Sequence, residues 1–332
     1  MVSLQAIRAH NASICSSLPP GLVAVFVGAT SGIGAATLKA FAKYTRLPRA
    51  YFVGRSRAAA NATIAECRAL NPRGEYIFIE ADISLIRVVD DVCARITASE
   101  PALNILFFSQ GIASLERNKT AEGLHLLTAL THYSRIRFIA NLLPLLQGAS
   151  PLRRVVTVGA AGFEGPIGTS DFGALRVPPG QVRGHVATLM TLGLEAVARH
   201  APSVAFIHDY PGTVDTPLTR RVMSGTGSAP VDWMDPTESG ERHLYLLTSA
   251  RYPGKDEDAR LARLDGDVGV PGPEVIRGAN GGIGGGVYAV GSNGECVSTE
   301  TLGFVDDLRQ DGMVDLVWEH TVGEFERIAR TV

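Results

Sequence analysis

Three glycines spaced Gly28-x-x-x-Gly32-x-Gly34 follow a run of β-branched and apolar residues at 22–27 and precede the helically spaced segment Ala35-Ala36-Thr37-Leu38-Lys39-Ala40-Phe41. The chemistry open to such a loop is the holding of a phosphate. Gly28 lets the chain leave a strand sharply, Gly32 lets backbone approach a pyrophosphate, and Gly34 lets the helix pack close to the sheet. The free N–H groups of the helix start then face the anion, with Thr30, Ser31 and Ile33 completing the loop. The alternative is a purely structural turn. The strand before the loop and the helix after it are the context that a nucleotide site requires. A second candidate group, Arg55-Ser56, ends the next apolar run. In a βαβ nucleotide fold that strand end faces the adenosine ribose, where an acid accepts from a 2′-hydroxyl and an arginine accommodates a 2′-phosphate. No carboxylate stands there, so NADP is favoured over NAD, with a solvated basic turn as the competing reading.

The elements that must position these groups are legible from periodicity. Strands are expected over residues 22–27, 49–57, 75–84, 103–111, 153–158 and 203–208, and the best helix over 122–147. This alternation predicts an α/β fold, a doubly wound, Rossmann-type parallel sheet. We expect one domain: a core over about 20–216, a lid or substrate-side insertion over 217–290 with a helical patch at 238–249, and a C-terminal strand and helix over 291–332. The run Gly281-Gly282-Ile283-Gly284-Gly285-Gly286 is not a second phosphate loop, because no strand precedes it and Val287-Tyr288-Ala289-Val290 follows where a helix should start. A hairpin or final strand is expected instead, with a short strand at 295–298.

With 332 residues, 45% hydrophobic content and a net charge of −2, the chain has no basic field for nucleic acid. No apolar run approaches the roughly 20 residues of a membrane helix, and no secretory signal precedes Pro20. A cytoplasmic protein with a small-molecule substrate is expected, with no membrane or nucleic-acid partner; a homodimer stays open. Cys15, Cys67, Cys93 and Cys296 form no C-x-x-C pair and have no His at metal spacing, so neither metal nor disulfide framework is expected.

The loop spacing, with Thr30-Ser31 inside it, resembles that of the short-chain dehydrogenase/reductase family. Pro211-Gly212-Thr213-Val214-Asp215-Thr216 is similar to the family's Pro-Gly-x-Val-x-Thr segment over the nicotinamide. The resemblance extends over residues 22–216 and implies a nicotinamide cofactor, with Asp82 beside the adenine and Gly111, Pro211 and Gly212 at the cleft. Taken as a bare motif, Asp82 reads equally as a helix N-cap. Ser109-Gln110-Gly111 keeps only the glycine of the family's Asn-Asn-Ala-Gly. The texture of Tyr133-Ser134-Arg135, His185 with Thr188-Leu189-Met190-Thr191, and Glu241-Arg242-His243 resembles a subgroup of fungal secondary metabolism.

The family's catalytic Ser, Tyr and Lys are missing. Ala160 falls at the Ser position, and no Tyr lies between Tyr133 and Tyr210 and no Lys between Lys119 and Lys255, so no register recovers the pair. Tyr133, His185 and Tyr210 are the candidate proton donors, with His132 behind them; each also reads as an ordinary structural residue. Arg183 could hold a ribose or a carbonyl, and Glu164 could be a cap or a base. Three functions follow: an NADP(H)-dependent reductase of a ketone, enone or iminium; a non-redox cyclase or isomerase using the same cleft; or a nucleotide-binding pseudoenzyme.

Overall fold

The computed structural model describes residues 2–112, 114, 116–224, 233–256 and 274–331. Seven parallel strands form one sheet in the order β3-β2-β1-β4-β5-β6-β7: β1 (Val23–Val27), β2 (Arg49–Gly54), β3 (Glu75–Glu80), β4 (Ile105–Phe108), β5 (Arg154–Val158), β6 (Ala205–Asp209) and β7 (Val287–Val290). The order reverses between β1 and β4, which opens a crevice at their carboxyl ends. The strands are apolar on both faces because helices cover both. Val25 and Val27 of β1, with Leu106 and Phe108 of β4, pack under α4 (Ile86–Ser99), α6 (Ser134–Gly148) and α7 (Val182–Ala198). The alternating Ala24, Phe26, Ile105 and Phe107 pack under α1 (Leu4–Ser17), α2 (Gly32–Tyr44) and α9 (Pro236–Thr248). Asn104 ties the bottom of three strands together, accepting from Val23 N at 3.0 Å and donating to Leu152 O at 3.2 Å.

Several expectations change. The helix read over 122–147 starts with a single turn, α5 (Leu126–Thr128), and widens into a π-helical turn at Ala129–Tyr133 before α6 begins. The stretch 217–290 does not behave as one lid. Its helix α8 (Pro217–Ser224) borders the cleft, α9 packs on α1 and α2 on the other side of the sheet, and β7 is the sheet's edge strand. Residues 225–232 and 257–273 of that call lie outside the described residues. The strand expected at 295–298 is an isolated bridge from Val290 to Cys296. Helices α1 and α10 (Thr299–Gln310) were not expected, whereas α11 (Met313–Arg330) was. Among the described residues no helix is long and apolar enough to cross a membrane.

Candidate functional site

At the end of β1 the chain turns at Gly28, whose φ is +84° and whose N–H donates to Val53 O at 2.9 Å. A Cβ there would stand 2.6 Å from Gln110 N, so the loop and the β4 end close on each other only because the side chain is absent. Ser31 is the N-cap of α2, yet its hydroxyl makes no capping bond, which leaves the first-turn N–H groups of the helix directed outward. Thr30, Ser31, Gly32 and Ile33 line a cleft of about 790 Å³. Arg55, Asp82 and Gly111 line it too, as do Tyr210, Pro211 and Gly212 from the end of β6.

Two residues expected at the cofactor have other duties. Ser56 does not line the cleft; it is the N-cap of α3 (Arg57–Leu70), its hydroxyl accepting from Ala59 N at 3.3 Å. Asp82 is not the N-cap of α4, which starts after Leu85; its carboxylate accepts from Ser84 N at 3.1 Å. Glu122 takes over the capping, accepting from Ile86 N at 2.6 Å and Arg87 N at 3.0 Å.

A side chamber of about 330 Å³ continues from the cleft and shares with it Thr131, Arg135, Val158, Gly159 and Arg183. Val182, Arg183, Val186, Ala187 and Met190 of α7 line one wall at helical spacing. This is where the missing acid should stand. Of the three candidates only Tyr210 is at the cleft, its ring edge-on to Phe163 at 4.9 Å and 5.1 Å from the Arg183 guanidinium.

Tyr133 and His185 lie elsewhere, and helix geometry explains both. Residues two apart on a helix point about 200° away from each other. Thr131 faces the cleft, so Tyr133 faces away; it is 1% exposed, its hydroxyl shares a hydrogen bond with His320 Nε2 at 2.7 Å, and it lines a separate cavity of about 580 Å³. Arg183 faces the cleft, so His185 turns inward, where its Nε2 donates to Phe172 O at 3.0 Å. Burial pushes the Tyr133 hydroxyl up and the His185 imidazole down. His132 is also buried, donating from Nε2 to Thr321 Oγ1 at 2.9 Å. Tyr133→Phe is therefore expected to cost about 1 kcal/mol of stability by leaving His320 Nε2 without its hydrogen-bond partner, with nucleotide affinity unchanged. Urea denaturation beside titration calorimetry reads both, and an affinity loss would return Tyr133 to the site.

Two groups at the chamber were not singled out from sequence. Arg135 is 2% exposed and holds its guanidinium on neutral acceptors, Thr157 Oγ1 and Val158 O at 2.6 Å and Gln110 O at 2.7 Å. Burial lowers its pKa to about 9, Asp209 opposing the shift. His208 sits where a Gly159 side chain would otherwise stand. Its Nε2 accepts from Ala160 N at 3.1 Å, so Nδ1 carries the proton and donates to Thr191 Oγ1 at 2.9 Å, which donates to Glu164 Oε1 at 2.8 Å. Burial first, and the Arg135 charge second, push His208 down to about 3, and burial pushes Glu164 up. His208 is thus a neutral, fully engaged imidazole with no proton left to donate into the chamber. The signal for Arg135 was its place four residues after Thr131, and so on the same helix face, in a run otherwise apolar but for Arg137.

The profile of the short chain dehydrogenase family matches residues 22–178. The chain is 40% identical to Oxidoreductase AN1596 of Emericella nidulans over 97% of this chain and 97% of that protein. It is 32% identical to Short-chain dehydrogenase/reductase SAT2 of Stachybotrys chartarum over 99% of this chain and 98% of that protein. Among solved structures, a short-chain dehydrogenase from Sphingobium yanoikuyae in complex with NADPH aligns with 76% of this chain and 98% of its own, with a TM-score of 0.52 at 19% identity. At that identity the likeness is one of fold.

Proposed function

The chain belongs to the short-chain dehydrogenase family, and we propose that it is an NADP(H)-dependent oxidoreductase acting on a secondary-metabolite intermediate, a ketone, enone or iminium. The observation that carries this reading is the continuity of one cleft from the uncapped start of α2, past Arg55, to Pro211-Gly212 and the side chamber. The cradle fits a dinucleotide: a Cβ at Gly28 would force the loop off the β4 end, and among the described residues Arg55 is exposed and in no ion pair, so its guanidinium is available to a 2′-phosphate. The NADPH carried by the Sphingobium yanoikuyae protein and the fungal oxidoreductases above support the same reading.

A nicotinamide nucleotide bound there would supply or take up the hydride. The chain's own contribution is positioning by Thr131 and Tyr210, and a positive field from Arg135 and Arg183 that favours negative charge developing on a substrate oxygen. Such stabilisation lowers the demand for a strong acid, and the proton that completes the product comes from Tyr210 at the cleft or from water. Arg55→Ala is expected to weaken NADPH by roughly tenfold to a hundredfold, the worth of a charge-assisted bond, while NADH changes little. Equal loss for both in titration calorimetry removes Arg55 from the phosphate role.

A second reading, a non-redox cyclase or isomerase on this fold, is favoured by the engaged state of His208 and the inward turn of Tyr133 and His185. Substrate conversion without loss of nucleotide absorbance would select it, and absence of both conversion and oxidation would select a nucleotide-binding pseudoenzyme.

A further inference from the structure

The chamber has a one-sided charge. Arg135 is the buried cation at its junction with the cleft, and among the described residues neither Arg135 nor Arg183 forms an ion pair. The carboxylate acting on Arg135, Asp209, lies outside the chamber wall and does not hydrogen-bond it: Oδ2 is 3.1 Å from His243 Nε2, and the buried Oδ1 has no partner among the described residues, so Asp209 offsets part of the Arg135 charge from behind. Arg183 lies with its guanidinium 3.4 Å from the Phe163 ring centroid, a stacked position that holds the charge at the chamber mouth. Among the described residues no carboxylate lines the chamber; the one nearby, Glu164, accepts from Thr191 Oγ1 and from Gly162 N at 2.7 Å. His208, the remaining titratable group on the wall, is neutral. The rest of the wall is apolar, with Leu127, Val158, Pro179, Val186 and Met190 among it.

A guanidinium hydrogen-bonded only to neutral dipoles is left with uncompensated charge, and Asp209 offsets it without touching it, so the face turned to the chamber stays positive. We propose that the chamber selects substrates carrying an anionic or enolisable oxygen, such as a carboxylate, phenolate or enolate, on an apolar body, and rejects cations. This rests on reading the chamber as the substrate side of the cleft, and it sorts the substrates named above: an iminium would lie between two guanidiniums, whereas an enone or β-dicarbonyl develops its negative charge beside them.

Three probes of one shape test it: 2-naphthoate, 2-naphthamide and 2-naphthyltrimethylammonium, titrated into the full chain with and without NADPH. Naphthoate is expected to bind roughly tenfold to a hundredfold more tightly than the amide, with no measurable binding of the ammonium. Arg183→Gln, a change at an exposed residue, is expected to cut that preference severalfold and raise its salt dependence no further. Arg135→Gln is expected to cut it more, and if that variant does not fold, Arg183→Gln carries the test. Equal binding of the three probes, or a preference untouched by Arg183→Gln, overturns the proposal. So does naphthoate binding abolished by NADPH, since the anion would then sit on the phosphate loop. Failure of NADPH to bind at all, with the naphthoate preference intact and sensitive to Arg183→Gln, overturns the nucleotide reading and leaves this one standing.

Discussion

Alanine at Gly34 is expected to cost about 1–3 kcal/mol of stability and to weaken nucleotide binding at least on the order of tenfold, because the added methyl overpacks a junction of backbone. A Cβ at Gly34 meets Ser109 Oγ, and lies 2.6 Å from Gly28 O and 2.8 Å from Ala29 Cα. Ser109 could swing away, but the other two atoms belong to the turn itself. Relief requires α2 to move off the end of β1, and the N–H groups that would hold a pyrophosphate are at that end. Gly303→Ala in α10 makes the contrast: nothing lies within 4 Å of its would-be Cβ, so the same substitution is expected to raise stability by about 0.5–1 kcal/mol through helix propensity. Urea denaturation of the two variants, with NADPH titration of each, checks the pair. A Gly34→Ala protein as stable and as tightly binding as the parent would remove the close-packing role of this glycine.

Acidification is expected to destabilise the fold strongly between pH 6.5 and pH 5. His132 and His208 are both buried and neutral, each lowered to about 3 with burial as the main cause, His320 adding to it for His132 and Arg135 for His208. In the unfolded chain they titrate near their ordinary value of 6.5. Below that pH the unfolded state therefore binds two protons that the folded state refuses, and stability falls as pH falls, by about 1.4 kcal/mol per pH unit for each histidine. Because the slope reaches that limit only well below pH 6.5, the pair accounts for about 3 kcal/mol between pH 6.5 and pH 5. His10, His185 and His320 are lowered by burial and act in the same direction, whereas Glu164, raised by burial, opposes it. His132→Phe keeps the ring and removes one titration, so its stability should fall about 2 kcal/mol less than the parent's between pH 7 and pH 5. Denaturation curves at pH 7 and pH 5 read the slope; parallel slopes for parent and variant would sink the assignment. His132 owes its place to Gly193, where a Cβ would come 2.8 Å from His132 Cε1.

The cleft was legible in the sequence because its parts are local. A strand, a glycine turn and a helix start are made within about a dozen residues, so Gly28 to Gly34, Arg55 and Pro211-Gly212 all appear where strand ends were expected, along one edge of the sheet. The sequence also established, without any geometry, that the family's Tyr-Lys pair is absent, since that rests on residue types alone. It did not establish which side chains face the reacting end. That is a question of helix rotation, and the helix before α6 contains a π turn, from Ser134 N–H back to Ala129 O, that a count of 3.6 residues does not foresee. Thr131 and Arg135 reach the cleft while Tyr133 turns to His320, and on α7, a regular helix, Arg183 reaches it while His185 turns to Phe172. The Glu164–Thr191–His208 chain joins a loop, a helix and a strand that meet only when β5, β6 and α7 pack together. Hydrophobic periodicity reports which face of an element is buried, and so it determined the sheet and its phosphate loop. Which polar groups share the buried face depends on contacts between residues far apart in the chain, and only the packed structure decided that two arginines and a silent histidine, not a tyrosine, surround the chamber.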